Sequence, residues 1–441
     1  MPGGGEGLNF ICDNISVNGQ GHLCFAGLDT VALAGEYGTP LYLFDEDRIR
    51  HNCRVYTGAF AKYFPEGSMP VYASKAGCFK ELLRIVSDEG FGFDLVSPGE
   101  IYTAAHSGVS LENAFFHSND KTDADIRYAM DCGTGYFVIE SGDEAMAVDA
   151  AAREKGIVQK AMLRLTPGID THTYAAMNTG LVDSKFGVAI ETGQAEKLTE
   201  KILGMRNIEL TGFHCHVGSS IFSEDVFERS AMIMTDFIAK MEKKYGYRCG
   251  MLNLGGGYGV RYTVDDPYLD IAEKIRSVSE TIAARCARHG ISVPLIQMEP
   301  GRSIVADAGM TLYTAGSIKS IPGYKNYVSV DGGMTDNPRY ALYRARYTCY
   351  DASRMNERFI FPCDLVGRCC ESGDIIQPGV LMSENIGRGD IIAVCTTGAY
   401  NYSMASNYNR IPRPAVVMVK DGETRLAVRR ETLEDVASLD I

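Results

Sequence analysis

The sequence predicts an α/β protein: a (βα)8 barrel of the TIM type followed by a mostly antiparallel β domain folding as a sandwich or barrel. Three observations carry this expectation. Short apolar runs alternate with amphipathic helical stripes between about Leu41 and Ala308, which is the pattern of parallel α/β folds. Eight strand candidates can be counted there. Residues able to do chemistry fall at or just after the ends of those strands, where barrels of this kind gather their active residues. Periodicity alone also allows an open doubly wound sheet, and the positions of the motifs favour the barrel.

The strand candidates are Pro70–Ser74, Gly92–Ser97, Ala114–Ser118, Tyr136–Glu140, Ala161–Leu165, Leu210–Val217, Met251–Leu254 and Leu295–Met298. Between them, Phe227, Met234, Phe237 and Met241 repeat at helical spacing before Gly246. A second helix is expected with Asp266 as its cap and Pro267 at its first position. It has Ile271, Ile275, Val278 and Ile282 on one face and Gly290 at its end. Both stripes read as core-facing surface. After about Gly309 the pattern turns to β-rich segments, Leu312–Ile318, Tyr327–Val330, Arg358–Pro362, Gly389–Thr397 and Ala415–Val419, and Asp421-Gly422 suits a tight hairpin. A short β-like piece at His22–Phe25 suggests that the amino terminus joins this second domain. The expected division is therefore 41–309 for the barrel, and 1–40 together with 310–441 for the β domain.

The chain has 441 residues and a net charge of −13, from 43 Lys and Arg against 56 Asp and Glu. This balance argues against a general nucleic-acid or anionic-membrane partner, because both attract net positive fields. Thirteen cysteines are scattered along the chain, with only Cys369 and Cys370 adjacent and no C-x-x-C pair, so reduced thiols are expected rather than a disulfide scaffold or a zinc ribbon. The segment Met1–Cys12 has neither the basic nor the apolar region of a secretion signal, and no apolar run approaches the ~20 residues that span a bilayer. A cytoplasmic protein is expected.

Four motifs sit at strand ends. Val71-Tyr72-Ala73-Ser74-Lys75-Ala76 places a lysine after a buried strand, where it is either a Schiff-base nucleophile or a lysine reaching out to solvent. In Phe213-His214-Cys215-His216-Val217-Gly218-Ser219 the two histidines fall on one face. A metal site would need a third ligand that the motif lacks, so none is expected. The remaining uses are stacking on an aromatic cofactor or a satisfied core. Gly255-Gly256-Gly257 is either an anion cradle, with no Cβ between a phosphate and the backbone N–H groups, or a tight turn. Glu299-Pro300-Gly301-Arg302 offers either a carboxylate for a pyridine nitrogen and a guanidinium for a substrate carboxylate, or an internal ion pair. Taken together, amine, imidazole, phosphate seat and acid are what pyridoxal 5'-phosphate needs.

On these motifs the sequence resembles the diaminopimelate decarboxylases, within the alanine-racemase-like and ornithine-decarboxylase-like group of pyridoxal-phosphate enzymes. The likeness runs from about Thr39 to Val419. It implies that Lys75 is the Schiff-base residue, that His216 stacks on the cofactor ring, and that Ser219, Gly255, Gly256, Gly257 and Tyr400 contact its phosphate. Glu299 then partners the pyridine nitrogen, and Asp94 in Phe93-Asp94-Leu95-Val96-Ser97 supports the lysine. Arg302, and Arg339 and Tyr343 of Asn337-Pro338-Arg339-Tyr340-Ala341-Leu342-Tyr343, match positions that bind substrate carboxylates, where Tyr400 also lies. Cys370 and Glu371 match a pair that reaches the site from the other subunit of a homodimer, Cys370 as candidate proton donor and Glu371 for the substrate ammonium. The run Ser403-Met404-Ala405-Ser406-Asn407-Tyr408-Asn409 is the most diagnostic. The implied reaction is decarboxylation of the amino acid meso-2,6-diaminopimelate to L-lysine and CO2, the last step of lysine biosynthesis by that route. Competing readings are an ornithine- or arginine-type decarboxylase of the same fold, which would have little use for the extra arginine, and a non-catalytic regulatory relative, which usually loses the lysine or a phosphate contact. The polar segment Thr171–Lys185 reads from composition as a candidate lid.

Overall fold

The computed structural model describes residues 10–170, 180–223 and 225–441. Residues 171–179, most of the candidate lid, lie outside them. The chain divides into two compact units: one holds His51–Gly259 and Leu269–Gly301, the other Met1–Arg50, Val260–Tyr268 and Arg302–Ile441.

The first unit is a closed barrel of eight parallel strands: β1 (Met69–Ala73), β2 (Gly92–Leu95), β3 (Ala114–Phe116), β4 (Tyr136–Ile139), β5 (Gln159–Thr166), β6 (Ile208–His214), β7 (Met251–Asn253) and β8 (Leu295–Met298). Each pairs with the next, and Gln297 and Met298 of β8 register against Met69 and Pro70 of β1 to close it. The eight expected strands are all present. Inside, Val71, Phe115, Val138 and Met162 form an apolar layer. Because side chains alternate along a strand, the residues two positions further on, Ala73, His117, Glu140 and Arg164, face the same interior nearer the carboxyl ends. The barrel thus changes from apolar to polar within one layer, and the polar layer is where the chemistry sits.

The connecting helices carry the caps that fix their starts. Ser97 accepts from Glu100 N–H ahead of Pro98, and Ser141 accepts from Glu144 N–H. Helix Val226–Tyr245 buries Phe227, Met234, Phe237 and Met241 and ends at Gly246 in the left-handed conformation, as its stripe predicts. Helix Ile271–His289 buries Ile275, Val278 and Ile282 and ends at Gly290, but its cap is Asp270, not Asp266. Asp266 instead accepts from Tyr262 N–H and Thr263 N–H at 2.9 and 2.8 Å, closing a turn in the other unit, which is why Pro267 is not a helix start.

The second unit is built on a mixed sheet. Its strand order is Ile375–Ser383, Phe359–Val366, Lys325–Val330, Gly309–Ile321, Leu41–Asp45, Ala415–Lys420 and Glu423–Val428, with Ile391–Cys395 also paired to Gly309–Ile321. Most pairs are antiparallel. Two are parallel: Leu41–Asp45 with Ala415–Lys420, and Lys325–Val330 with Phe359–Val366. Alternation along Gly309–Ile321 splits its side chains between two cores, Met310 and Leu312 with Leu41, Leu43 and Val417, and Tyr313 and Ala315 with Val328 and Leu365. The strand Leu41–Asp45 therefore belongs to this unit. Its five consecutive buried residues read like a barrel strand, yet its hydrogen bonds go to Gly309–Leu312 and Ala415–Val419. The short helix Arg302–Val305 also falls in this unit, ahead of position 309. Asp421 and Gly422, both at positive φ, turn the last hairpin.

Candidate active site

At the carboxyl ends of the barrel strands, a cluster of charged groups gathers around Glu299. This carboxylate, 6% exposed, accepts two hydrogen bonds, from Asn253 Nδ2 at 2.8 Å on Oε1 and from His214 Nε2 at 3.0 Å on Oε2, and His117 Nε2 lies at ion-pair distance, 2.9 Å from Oε1, without hydrogen-bond alignment. A carboxylate has about four acceptor positions on its two oxygens, so capacity remains for a further donor. Against the cost of burial, His214 and His117 hold the Glu299 carboxyl well below its ordinary range. Lys75 follows β1 in a short 3-10 turn, and its Nζ lies 3.9 Å from Asp94 Oδ2 at the end of β2. The other Asp94 oxygen is 3.8 Å from His117 Nε2 and has no hydrogen-bond partner among the described residues. Burial pushes Asp94 upward, while His117 and Lys75 pull it back.

His214 and His216 take different roles. Burial pushes His214 down to about 4, so it is a neutral ring whose Nε2–H donates to Glu299. His216, half-buried one residue beyond Cys215, accepts the N–H of Gly256 on Nδ1 at 3.2 Å. Its proton when neutral is therefore on Nε2. Burial, then the charges of Lys75 and Arg164, hold it well below the usual imidazole range.

The glycine triplet is needed first for packing. A Cβ on Gly256 would lie 2.0 Å from the carbonyl oxygen of Glu299, and one on Gly257 2.2 Å from that of Gly218. The Gly255 N–H donates to Asn253 Oδ1 at 2.9 Å and the Gly256 N–H to His216. Two of the three N–H groups are thus spent within the protein, which narrows the cradle to Gly257 and the neighbouring Gly218-Ser219 backbone. Ser219 is half-buried beside it.

In the other unit a second cluster forms around two buried guanidinium groups. Arg302 donates through Nη1 to Tyr262 OH at 2.7 Å and lies 4.8 Å from the Tyr400 ring. Arg339, 4% exposed, lies 5.4 Å from the Tyr400 ring, 5.6 Å from Tyr343 and 6.0 Å from Tyr262. Its Nε is buried without a hydrogen-bond partner, and among the described residues no carboxylate pairs with it. Tyr400 adopts φ +64, a conformation that side chains rarely take. Cys370 and Glu371 lie elsewhere in this unit, both exposed in the single chain. Their loop is fixed from below: Asp374 accepts from Cys369 N–H and Met334 N–H, and Asn409 accepts from Cys370 N–H.

Sequence reasoning did not single out His117, Asn253 or Tyr262. Asn253 opens the run Asn253-Leu254-Gly255-Gly256-Gly257 without a role of its own there, and His117 and Tyr262 stand outside the motifs; the one available signal for His117 was a titratable side chain directly after the apolar run Ala114–Phe116.

A family model described as pyridoxal-dependent decarboxylase, pyridoxal binding domain, matches residues 46–306. The diaminopimelate decarboxylase of Bacillus subtilis (strain 168) is 42% identical over 424 residues, 96% of either chain. That of Staphylococcus aureus (strain COL) is 39% identical over 96% of this chain and 98% of its own. Among solved structures, diaminopimelate decarboxylase from M. jannaschii in co-complex with L-lysine matches with a TM-score of 0.89 at 30% identity, covering 97% of this chain and 98% of that one. The Helicobacter pylori enzyme complexed with L-lysine gives 0.84 at 29% identity, over 93% of this chain and 99% of that one. With this likeness running nearly end to end, the chain belongs to the diaminopimelate decarboxylase family of pyridoxal-phosphate-dependent carboxy-lyases.

Proposed function

We propose that the protein decarboxylates meso-2,6-diaminopimelate at its D-configured centre to give L-lysine and CO2. The observation that carries this reading is Glu299: a buried carboxylate held by two hydrogen-bond donors and an ion-pair contact from His117, with acceptor capacity left for a further donor such as a protonated ring nitrogen. The donor set fits pyridoxal phosphate on its own chemistry. A primary amine lies beside a buried carboxylate at Lys75 and Asp94, an imidazole of fixed tautomer stands at His216, and Asp94 Oδ1 is buried and unsatisfied. When bound, the cofactor supplies an electron sink for the pair released as the Cα–carboxylate bond breaks.

Lys75 would hold the cofactor aldehyde, with Asp94 positioning its Nζ. Glu299 would keep a proton on the ring nitrogen, and His216 would present the flat of its ring. Ser219, Gly257 and Tyr400 would seat the phosphate, with Gly255 and Gly256 shaping the turn. For the substrate, Arg302, Arg339 and Tyr343 would receive carboxylates and Glu371 the distal ammonium. Cys370 would return a proton to the α-carbon. The exposure of Cys370 and Glu371 in the single chain supports their delivery to a neighbouring subunit, hence a homodimer with shared sites. A cytoplasmic setting rests on the thirteen scattered thiols; among the described residues, no helix is long and apolar enough to cross a membrane.

The test is CO2 release and product identity from the pyridoxal-phosphate-loaded protein given meso-diaminopimelate, ornithine, arginine and lysine in parallel. Lysine formed only from meso-diaminopimelate is expected; turnover of ornithine or arginine instead would overturn the substrate assignment.

A further inference from the structure

His117 is fixed more firmly than a strand-end residue needs to be. Its N–H donates to Leu95 O at 2.8 Å, and Ser118, the next residue, is held at φ +146, a region essentially reserved for glycine. The carbonyl of that strained residue is gripped by Lys121, whose ammonium is fully buried and donates to Ser118 O at 2.9 Å, Val138 O at 2.8 Å and Glu144 Oε1 at 2.6 Å. So braced, the His117 ring stands between two buried carboxylates, 2.9 Å from Glu299 Oε1 and 3.8 Å from Asp94 Oδ1, with the His214 ring edge-on at 4.8 Å.

The charges around this ring do not balance without it. Around it stand the carboxylates Asp94, Glu140 and Glu299, the carboxyl of Glu100, which burial pushes up to about 7, and the cations Arg164 and Lys75; His214 also faces it. The missing positive charge has two candidate seats. His214 is the weaker candidate, because it meets Glu299 alone, whereas His117 Nε2 lies at ion-pair distance from both Glu299 Oε1 and Asp94 Oδ1. We propose that His117, as an imidazolium, supplies that charge and so positions Glu299 as a carboxylate toward the cofactor's ring nitrogen. This rests on the reading of Glu299 given above. His117 touches neither substrate nor reacting atoms in this account; it is a positioning residue acting through Glu299.

The test compares His117→Gln, His214→Gln and Glu299→Gln as loaded enzymes, reading the pH at which the bound cofactor's visible absorption changes and the cofactor dissociation constant. His117→Gln removes the charge, and is expected to weaken cofactor binding about tenfold at neutral pH and to move the spectral transition by about one pH unit. His214→Gln, which keeps a neutral donor, is expected to change both less. Wild-type values in His117→Gln alongside changed ones in Glu299→Gln would overturn the proposal and leave the Glu299 reading standing. Wild-type values in both would overturn that reading, and the proposal with it. Should His117→Gln fail to fold, nitrogen-15 spectra of histidine-labelled wild-type protein serve instead. One ring protonated on both nitrogens at mildly alkaline pH, where exposed histidines are neutral, is expected with and without cofactor; neutral buried rings throughout would overturn it.

Discussion

The two buried charge clusters are built in opposite ways. Around Glu299 the barrel supplies its own counter-charges and donors, so the carboxylate is nearly satisfied before any ligand arrives. Around Arg339 the β unit supplies tyrosine rings and, among the described residues, no carboxylate. An interior that pairs one buried charge so fully and leaves another without a counter-ion is not economising on structure, because an unpaired buried charge is costly. On the proposed function, the difference separates a charge the protein keeps for itself, Glu299, from one it would hold for a ligand's anion, Arg339.

Breaking each side of this comparison should have distinct consequences, the largest at the lysine beside the first cluster. Lys75→Ala is expected to abolish turnover and to remove the covalent cofactor absorbance, checked by spectrum and CO2 release. At the second cluster, Arg339→Ala should lower kcat/KM for diaminopimelate by roughly 10- to 100-fold, the range of a charge-assisted hydrogen bond worth about 1.5–3 kcal/mol, while the cofactor absorbance stays intact. A comparable loss of cofactor would place Arg339 in the wrong cluster.

The smallest effect is on stability. Glu46 is buried in the β unit with donors from Arg50 at 2.7 Å and Lys420 at 3.0 Å, and from Arg425. Against the cost of burial, these hold its carboxyl down to about 2 from 4.5. Since the folded value is the lower one, the stabilisation is complete above the unfolded value of 4.5 and is lost as pH falls toward about 2. Glu46→Gln should cost about 2 kcal/mol at neutral pH, allowing for the partly exposed partners. Denaturant melts of the two proteins should converge toward acid pH, and a constant gap would show that packing, not charge, is lost.

Much of this was legible in sequence because it is local. The barrel strands announce themselves as short apolar runs, and Lys75, His216 and Glu299 each stand in a recognisable strand-end motif. What sequence could not supply is pairing between distant segments. His117 gains meaning only when β3 and β8 bring it to Glu299, and Tyr262 only when its loop meets Arg302. The expected barrel boundary at 41 takes in Leu41–Asp45, a strand whose five buried residues would suit either sheet. The glycine triplet shows a subtler limit: its composition suggests a ligand cradle, whereas two of its N–H groups already have protein acceptors and its missing side chains make room for neighbouring backbone.

The most direct test of the contrast between the clusters is the kcat/KM ratio for meso-diaminopimelate over D-lysine, which keeps the reacting centre and the distal amine and lacks only the distal carboxylate. In the wild type the ratio should be large, because D-lysine leaves the buried guanidinium unpaired. In Arg339→Ala it should fall by roughly 10- to 100-fold with the cofactor spectrum unchanged. An unchanged ratio would contradict the claim that Arg339 is held in reserve for the substrate's carboxylate.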